Sequence, residues 1–223
     1  MINIFIGYDE GEKIAYHTLS ESIRKHSSVP VTITPLSLNN LPQFTREKQS
    51  NQSTDFAFSR FLVPYLSNYR GWSIFMDCDM MLRSDIAELY NQATFKYSVM
   101  CCKHDYTPKQ DVKFRGAKNQ AFPKKNWSSV MLFNNSQCKT LTPEYVNTAS
   151  GLELHQFKWL EREHMIGDIP LEWNWLVGEY EYNEDAKNVH FTLGGPWYKD
   201  YKECDYSQEW FDMYKDTTRI DLK

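Results

Sequence analysis

Short apolar runs alternate with amphipathic stretches in the first third of the chain. The continuous apolar run Ile2–Gly7 predicts a strand buried on both faces. Residues 14–26 carry apolar side chains at helical spacing, and residues 29–38, which contain two prolines, predict an edge strand. A strand, a helix and a second strand in this order are typical of an open α/β sheet with mostly parallel strands.

The pattern continues through the rest of the chain with less regularity. Residues 54–67 have large apolar side chains at helical spacing and predict a helix that Pro64 kinks or shortens, and Trp72–Met76 predicts another buried strand. Further strands are predicted at 97–102, 130–133, 172–177 and 188–192. In an extended 172–177 segment, Trp173 and Trp175 would share one side with Asn174 opposite, so that a ring could either pack in the core or stack on a sugar.

Length, charge and cysteine content exclude several classes of protein. The 223 residues fit one domain, and the net charge of −4 provides no general field for gripping nucleic acid or an anionic membrane. No apolar run approaches the roughly 18 residues that would span a bilayer. Five cysteines lack metal-binding spacing, and the N-terminus lacks a basic leader region, so we expect reduced thiols and a cytoplasmic protein.

Two aspartates directly follow the predicted strand Trp72–Met76. If extended geometry continues, Asp77 and Asp79 project to one side while Cys78 points away. Ligands of open α/β sheets bind at the carboxyl ends of strands, where this pair would lie. Two carboxylates this close repel unless they are protonated or bridged, and a hard divalent cation would bridge them. The alternative interpretation is an ordinary polar turn.

A histidine on a later strand adds a third ligand type. His190 lies in the apolar segment 188–192, and Gly194 and Gly195 follow it, which would permit close backbone approach to a bound group. A strand histidine can also be a hydrogen-bonded structural residue. Two aspartates with one imidazole favour Mn²⁺, with Mg²⁺ possible as the alternative.

Residues 103–126 have almost no apolar periodicity and a local charge of +5. A loop of this length in a compact domain is usually functional or disordered. We weigh two interpretations equally, a solvated loop and a loop that handles an anion over an active site. Its basic residues are Lys103, Lys109, Lys113, Arg115, Lys118, Lys124 and Lys125.

Five blocks in chain order resemble the GT-A fold glycosyltransferases of family 8, the group of glycogenin-like enzymes and UDP-sugar-dependent galactosyl- and glucosyltransferases. They read IFIGYDE, STDFAFSRFLVPYL, FMDCDMMLRSDIAEL, NWSSVMLFNN and HFTLGGPW. Two blocks depart from the family pattern. The closing block is one residue shorter than the usual HxxGxxKPW and lacks its lysine, for which Lys103, Lys124 or Lys125 are possible substitutes, and Trp127-Ser128-Ser129 replaces the usual Asn, small residue and Gly.

The resemblance implies a single GT-A domain over 1–223, Rossmann-like, with a mixed and mostly parallel sheet flanked by helices. It implies transfer of a sugar from a UDP-sugar with retention at the anomeric carbon, and it leaves a glycan, a lipid-linked sugar, a protein or a small molecule open as the acceptor. It implies a metal site at Asp77, Asp79 and His190 and a catalytic role for Gln156, and the sequence offers Asp168 as a second catalytic candidate. The implied donor contacts are Tyr8, Asp9, Arg60, Asp77, Cys78, Ser128, Gly194 and Gly195.

Without the resemblance, several of these residues have plainer interpretations: Arg60 as a helix-surface cation, Tyr8 and Asp9 as a polar turn, and Asp168 as a loop cap. Two other functions stay open. A phosphohydrolase of the haloacid dehalogenase type also places Asp-x-Asp after a buried strand, although Met81 stands where that class has Thr or Val. A non-catalytic nucleotide- or carbohydrate-binding protein would explain the departures from the motifs.

Overall fold

A computed structural model of the chain describes residues 1–48, 52, 54–116 and 118–219. Within these residues the strands are β1 (Ile2–Gly7), β2 (Val31–Leu36), β3 (Trp72–Met76), β4 (Met80–Leu82), β5 (Val99–Cys101), β6 (Val130–Asn134), β7 (Ile166–Asp168), β8 (Trp175–Leu176) and β9 (Asn188–His190). The α-helices are α1 (Lys13–His26), α2 (Val63–Leu66), α3 (Ile86–Tyr90), α4 (Pro143–Thr148), α5 (Gly151–His155) and α6 (Ser207–Thr218).

The central sheet has six strands in the order β2-β1-β3-β6-β5-β7. β1 runs parallel to β2 and β3, β7 runs parallel to β5, and β6 is antiparallel to both of its neighbours. Every side chain of β1 except Asn3 is buried, as expected for an apolar strand covered on both faces. The predicted mixed and mostly parallel α/β sheet is therefore confirmed, with β2 at its edge.

A second sheet has three strands in the order β4-β9-β8. It is joined to the central sheet by the short turn between β3 and β4. Antiparallel pairing sets Met80 of β4 opposite His190 of β9. Because β4 begins immediately after Asp79, this pairing brings the Asp-x-Asp turn beside the histidine. The small sheet is thus the element that assembles the candidate site.

Two apolar clusters support these sheets. The larger one surrounds the central sheet, and the smaller one packs β9 against α6 through Val189, Phe191 and Trp210. Helix α6 also packs along α1, and α1 packs on β4. Helix α1 thus supports β4, and the cluster that contains Trp210 of α6 supports β9 through Val189.

The helix predicted over 54–67 is only partly present, and it is shortened, as Pro64 led us to expect. Residues 54–58 form turns, Ser59–Leu62 is a 3₁₀ helix, and α2 is a single turn that begins beside Pro64. Proline is accommodated at the start of a helix, where its missing N–H costs nothing. The helical spacing reflects apolar residues that are buried through tight turns instead of one long helix.

The predicted strand over 172–177 is also largely wrong. Pro170 precedes a 3₁₀ turn, Leu171–Asn174, and only Trp175–Leu176 is extended. Trp173 is fully buried in the core and Trp175 is half-buried, so the two rings do not share a strand face. The amide of Asn174 points into the molecule, where it contacts His190.

We expect the buried serine Ser22 to stabilise the small sheet. Its hydroxyl donates to the carbonyl of Leu19 at 2.8 Å and accepts the backbone N–H of Leu82 in β4 at 3.0 Å. Ser22→Ala leaves that N–H without its acceptor and should lower the free energy of unfolding by about 1–3 kcal/mol, measured by urea denaturation.

The control is Ser20→Ala in the same helix. The Ser20 hydroxyl donates back to the carbonyl of Tyr16 at 2.8 Å, a bond that does not stabilise helices. This variant should leave stability within about 0.5 kcal/mol of wild type. Equal losses in the two variants would contradict the role of Ser22 in holding β4.

Candidate active site

The structure brings Asp77, Asp79 and His190 together at the carboxyl end of β3. One ligand atom from each lies within 4.8 Å of the others, and all three residues are buried. The backbone N–H of Asp77 donates to the carbonyl of Ser129 at 2.9 Å, and the carbonyl of Asp79 accepts from the N–H of Phe191 at 2.8 Å. The turn is therefore fixed to both sheets, and its carboxylates converge.

The electrostatics of this cluster fit a bound cation. In the described part of the chain, Oδ1 of Asp77 and Oδ1 of Asp79 are buried and receive no hydrogen bond of good geometry. Burial, together with the charge of Asp79, raises the pKa of Asp77 to about 6 despite the opposing effect of Arg60. Burial also opposes ionisation of Asp79, but the adjacent His190 ring and the charge of Lys113 lower its pKa overall. Two buried carboxylates and an imidazole form a donor set suited to a divalent cation.

Arg60 is buried beneath the cluster rather than exposed on a helix. Its Nη1 lies 2.7 Å from Oδ1 of Asp77 and donates to the carbonyl of Ser128 at 2.9 Å. The guanidinium lies 4.9 Å from the ring centre of Phe75. Arg60 thus supplies a fixed positive charge next to the carboxylate of Asp77, whose ionisation burial disfavours.

Behind His190 lies a chain of hydrogen-bonded side chains that the sequence does not predict. Nδ1 of His190 lies 2.9 Å from Oδ1 of Asn174, and Nδ2 of the same amide lies 2.9 Å from Nε2 of His104. Nδ1 of His104 in turn lies 2.8 Å from the hydroxyl of Tyr180. These residues come from separate segments with no shared motif, so the sequence offers no signal for their meeting.

A buried glutamate from the first turn was also missed. Glu12 is almost fully buried, and its carboxylate accepts from the hydroxyl of Tyr198 at 3.3 Å. Burial, and then the charges of Asp79 and Asp9, raise the pKa of Glu12 to about 8. The Sγ of Cys78 lies 4.0 Å from the same carboxylate, and burial raises the pKa of this thiol well above its usual value. The Cys78 side chain is therefore directed into the interior, as the sequence predicts.

The turn after β1 is held by Asp9. Its carboxylate accepts the backbone N–H of Gly11 at 2.8 Å and that of Asp55 at 3.1 Å, and it lies 3.5 Å from Nη1 of Arg115. The hydroxyl of neighbouring Tyr8 donates to Glu10 at 3.2 Å. Tyr8 and Asp9, which are both predicted to contact the donor, thus lie at the carboxyl end of β1, next to β3.

The glycines after His190 pack against the chain's own aromatic rings. Gly194 has a φ of 141°, and a Cβ there would collide with the ring of Tyr201. A Cβ on Gly195 would collide with the ring of Trp197. The close approach that these glycines permit is therefore made by side chains of this protein.

The remaining predicted residues lie in different surroundings. The Ser128 hydroxyl lies 2.7 Å from Nδ1 of His155, which places it beside Arg60. Gln156 follows α5 directly and is half-buried. Asp168 ends β7, with a side chain that is 70% exposed and 3.1 Å from Nζ of Lys103. The structure brings Ser128 to the acidic cluster, whereas Asp168 contacts solvent and a lysine.

Much of the basic segment 103–126 is tied to the rest of the molecule. The N–H of Phe114 donates to the carbonyl of Leu193 at 2.8 Å, and its ring stacks on Tyr198. The buried Glu179 accepts from the N–H of Lys109 and from the amide of Asn119. These contacts hold Lys113 and Arg115 on the side of the segment that faces the acids of the site.

The topology and the placement of this cluster define a GT-A glycosyltransferase fold. The bifunctional glycosyltransferase WbbM superposes with a TM-score of 0.69 at 15% identity over 96% of this chain, which spans about half (49%) of WbbM. A variant of LgtC superposes with a TM-score of 0.67 at 9% identity over 99% of this chain and 98% of LgtC. Mouse xyloside xylosyltransferase 1 gives 0.54 at 11% identity over 86% and 99% of the two chains.

Sequence comparison identifies the family directly. The chain is 44% identical over 230 residues to Protein CDI of Arabidopsis thaliana, covering 99% of this chain and 88% of that protein. It belongs to the family of Protein CDI. No model of a known protein family matches it, and membership of glycosyltransferase family 8 stays a prediction. Among the described residues, no helix has the length and apolar character needed to cross a bilayer.

The raised pKa of Glu12 predicts a specific pH dependence of stability. An unfolded glutamate titrates near 4.3, whereas the folded one titrates at about 8, so between these values the folded chain retains a proton that the unfolded chain has lost. The free energy of unfolding therefore falls as the pH rises through this range. Glu12→Gln removes this pH-dependent loss, so the free energy of unfolding of the variant should rise relative to wild type by about 4 kcal/mol between pH 5 and pH 8.5.

Thermal unfolding across this pH range measures the effect. Glu10→Gln is the matched control, because Glu10 lies in the same turn but is exposed. The pH dependence of its unfolding temperature should run parallel to that of wild type. If the Glu12→Gln curve runs parallel as well, the carboxyl is ionised in the folded protein and the assignment is wrong.

Proposed function

We propose that this protein is a metal-dependent, retaining glycosyltransferase that moves a sugar from a UDP-sugar to an acceptor. The observation that carries the proposal is the convergence of Asp77, Asp79 and His190 at the carboxyl end of β3 in a GT-A fold. Open α/β sheets bind their ligands at this position. Sequence identity to the similar structures is too low to transfer an activity, so the site itself provides the argument.

Asp77, Asp79 and His190 would hold the cation, which we propose to be Mn²⁺, with Mg²⁺ as the alternative. When bound, it supplies Lewis-acid stabilisation of the negative charge that develops on the departing diphosphate. The protein contributes a buried site in which ligands are fixed before the donor arrives. Arg60 holds Asp77 in place. Because its guanidinium is already fixed there, it adds positive charge without having to move during the reaction.

The basic segment 103–126 is proposed to complete the donor site. The charge of Lys113 acts on both Asp77 and Asp79, and Arg115 lies 3.5 Å from Asp9. Both cations therefore face the acids where a nucleoside diphosphate would bind. This arrangement supports the anion-handling interpretation of the segment and offers Lys113 in place of the lysine missing from the closing block. Tyr8 and Asp9 are proposed to contact the nucleoside, and Ser128 is proposed to complete the donor contacts. Cys78, Gly194 and Gly195 are proposed to contribute backbone atoms only, because the Cys78 side chain is buried and rings of this protein fill the space beside the two glycines.

Retention at the anomeric carbon requires either a covalent carboxylate intermediate or attack from the side of the leaving group. Gln156 is the proposed stabiliser of the cation-like transition state, and Asp168 is the alternative carboxylate. Their surroundings differ, because Gln156 is half-buried while Asp168 is paired with Lys103 at the surface. This difference favours Gln156.

The acceptor is proposed to be a glycan, a lipid-linked sugar or a small molecule. A structure of the galactosyltransferase LgtC, which shares 8% identity with this chain, contains donor and acceptor sugar analogs. All five cysteines are free thiols, which supports a reducing, cytoplasmic location. The phosphohydrolase alternative depended on the Asp-x-Asp placement alone, and the sheet topology favours the glycosyltransferase instead.

Asp77→Asn and Asp79→Asn should each remove the dependence of UDP binding on Mn²⁺, because an amide is a much weaker ligand for a hard cation than a carboxylate. Calorimetric titration with UDP, with and without Mn²⁺, measures this. Wild type should gain at least about tenfold in affinity from the metal, a difference of about 1.4 kcal/mol. Asp85→Asn is the control: Asp85 caps α3 in the same block, and asparagine caps equally well. Mn²⁺-enhanced binding in both site variants would refute the metal assignment.

Gln156→Ala and Asp168→Asn distinguish the two catalytic candidates. Gln156→Ala should lower kcat by about 10²-fold or more while UDP affinity stays unchanged, since its contact is made in the transition state. Asp168→Asn should stay within a few-fold of wild type. The measurement is donor turnover with UDP-glucose, UDP-galactose and their N-acetyl forms. A larger loss of kcat in Asp168→Asn than in Gln156→Ala would assign the catalytic role to Asp168. UDP binding without turnover of any donor would favour the non-catalytic alternative.

A further inference from the structure

The amide of Asn174 lies between two buried histidines. Its Oδ1 is 2.9 Å from Nδ1 of His190, and its Nδ2 is 2.9 Å from Nε2 of His104. A third contact joins Nδ2 to the backbone carbonyl of Asn126 at 3.2 Å. Asn174 itself is fully buried, so water does not compete for these bonds.

The third contact decides which way the amide faces. A backbone carbonyl only accepts hydrogen bonds, so the Asn174 atom beside the Asn126 carbonyl must be the NH₂ group. The amide oxygen then faces His190. With both of its N–H bonds directed at Asn126 and His104, the side chain has no donor left for His190.

The orientation of the amide determines where His190 carries its proton. Because Oδ1 of Asn174 can only accept, Nδ1 of His190 must be the protonated donor. The other ring nitrogen, Nε2, then points at the acidic cluster, 3.3 Å from Oδ1 of Asp79. Neutral histidine binds metals through the nitrogen that lacks a proton, and its second nitrogen is usually held by a hydrogen bond.

His104 fixes the far end of the same arrangement. Burial lowers the pKa of His104 to about 3, so the ring is neutral and Nε2 is free to accept from Asn174. Its Nδ1–H then donates to the hydroxyl of Tyr180 at 2.8 Å. The indole N–H of Trp127 donates to the backbone carbonyl of His104 at 2.8 Å and holds the residue in place.

We propose that Asn174 is a positioning residue that keeps the Nδ1 proton on His190 and presents Nε2 of that ring to a metal ion. The metal part of this inference rests on the proposed function. The proton position on His190 does not, because it follows from the hydrogen bonds alone.

Two variants of nearly the same volume test the role of the acceptor oxygen. Asn174→Asp retains an oxygen for the Nδ1–H of His190, whether its carboxyl is ionised or protonated. Asn174→Leu removes that oxygen. With Mn²⁺ titrated into the protein and free Mn²⁺ followed by electron paramagnetic resonance, Asn174→Leu should bind about 10–100-fold more weakly than wild type. Asn174→Asp should stay within a few-fold of wild type.

Asn135→Leu is the control for loss of a buried amide. Asn135 is also fully buried, and its amide donates to the carbonyl of Arg70 and to Ser73 at the opposite end of β3 from the site. This variant should lose stability but bind Mn²⁺ like wild type. Weaker Mn²⁺ binding by Asn135→Leu to the same degree as Asn174→Leu would show a general effect of destabilisation and overturn the proposal.

Nitrogen-15 NMR of the histidine rings provides a readout that needs no metal. Wild type and Asn174→Asp should show a protonated Nδ1 on His190, and Asn174→Leu should lose this preference. A wild-type His190 that carries its proton only on Nε2 would overturn the proposal. Failure of wild type to bind Mn²⁺ would contradict the proposed function, whereas equal Mn²⁺ affinity in wild type and Asn174→Leu would contradict the role of Asn174 alone.

Discussion

Repulsion between two buried carboxylates is the constraint on which the arrangement of this site depends. Asp77 and Asp79 converge in a turn from which water is largely excluded, so each charge must be balanced by a neighbour or by a ligand. Arg60 lies against Asp77, and His190 lies against Asp79. Oδ1 of each carboxylate nonetheless lacks a well-formed hydrogen bond among the described residues. A bound cation would offset the repulsion between the two carboxylates and stabilise the cluster.

The fold provides the rigidity that this cluster needs. The turn between β3 and β4 belongs at once to the central sheet and to the small sheet, and β9 brings His190 to it by strand pairing. Helix α1 packs on β4, and α6 packs on both α1 and the underside of β9. His190 therefore lies on a strand, and Asp77 and Asp79 lie in a turn between two strands that are held by packed apolar residues, while Lys113 and Arg115 of the basic segment face the same acids.

The parts of this arrangement that follow from local pattern could be predicted from the sequence. Continuous apolar runs marked β1, β3 and β6, and the position of Asp77 and Asp79 after such a run marked the edge where a ligand would bind. The structure differs from the predicted long helix over 54–67 and the predicted strand over 172–177, because the apolar side chains of these segments are buried through 3₁₀ turns near Pro64 and after Pro170. The contacts of Asn174, His104 and Glu12 depend on tertiary approach between distant segments, for which the sequence has no periodic signal.

The central claim is that Asp77, Asp79 and His190 form one metal site. Anomalous diffraction at the manganese edge, from crystals grown with Mn²⁺ and UDP, tests it most directly. If these residues form the site, a single strong peak lies at bonding distance from a carboxylate oxygen of Asp77, a carboxylate oxygen of Asp79 and Nε2 of His190. Bound UDP with no anomalous peak among these three residues, or with a peak held by other ligands, would contradict it.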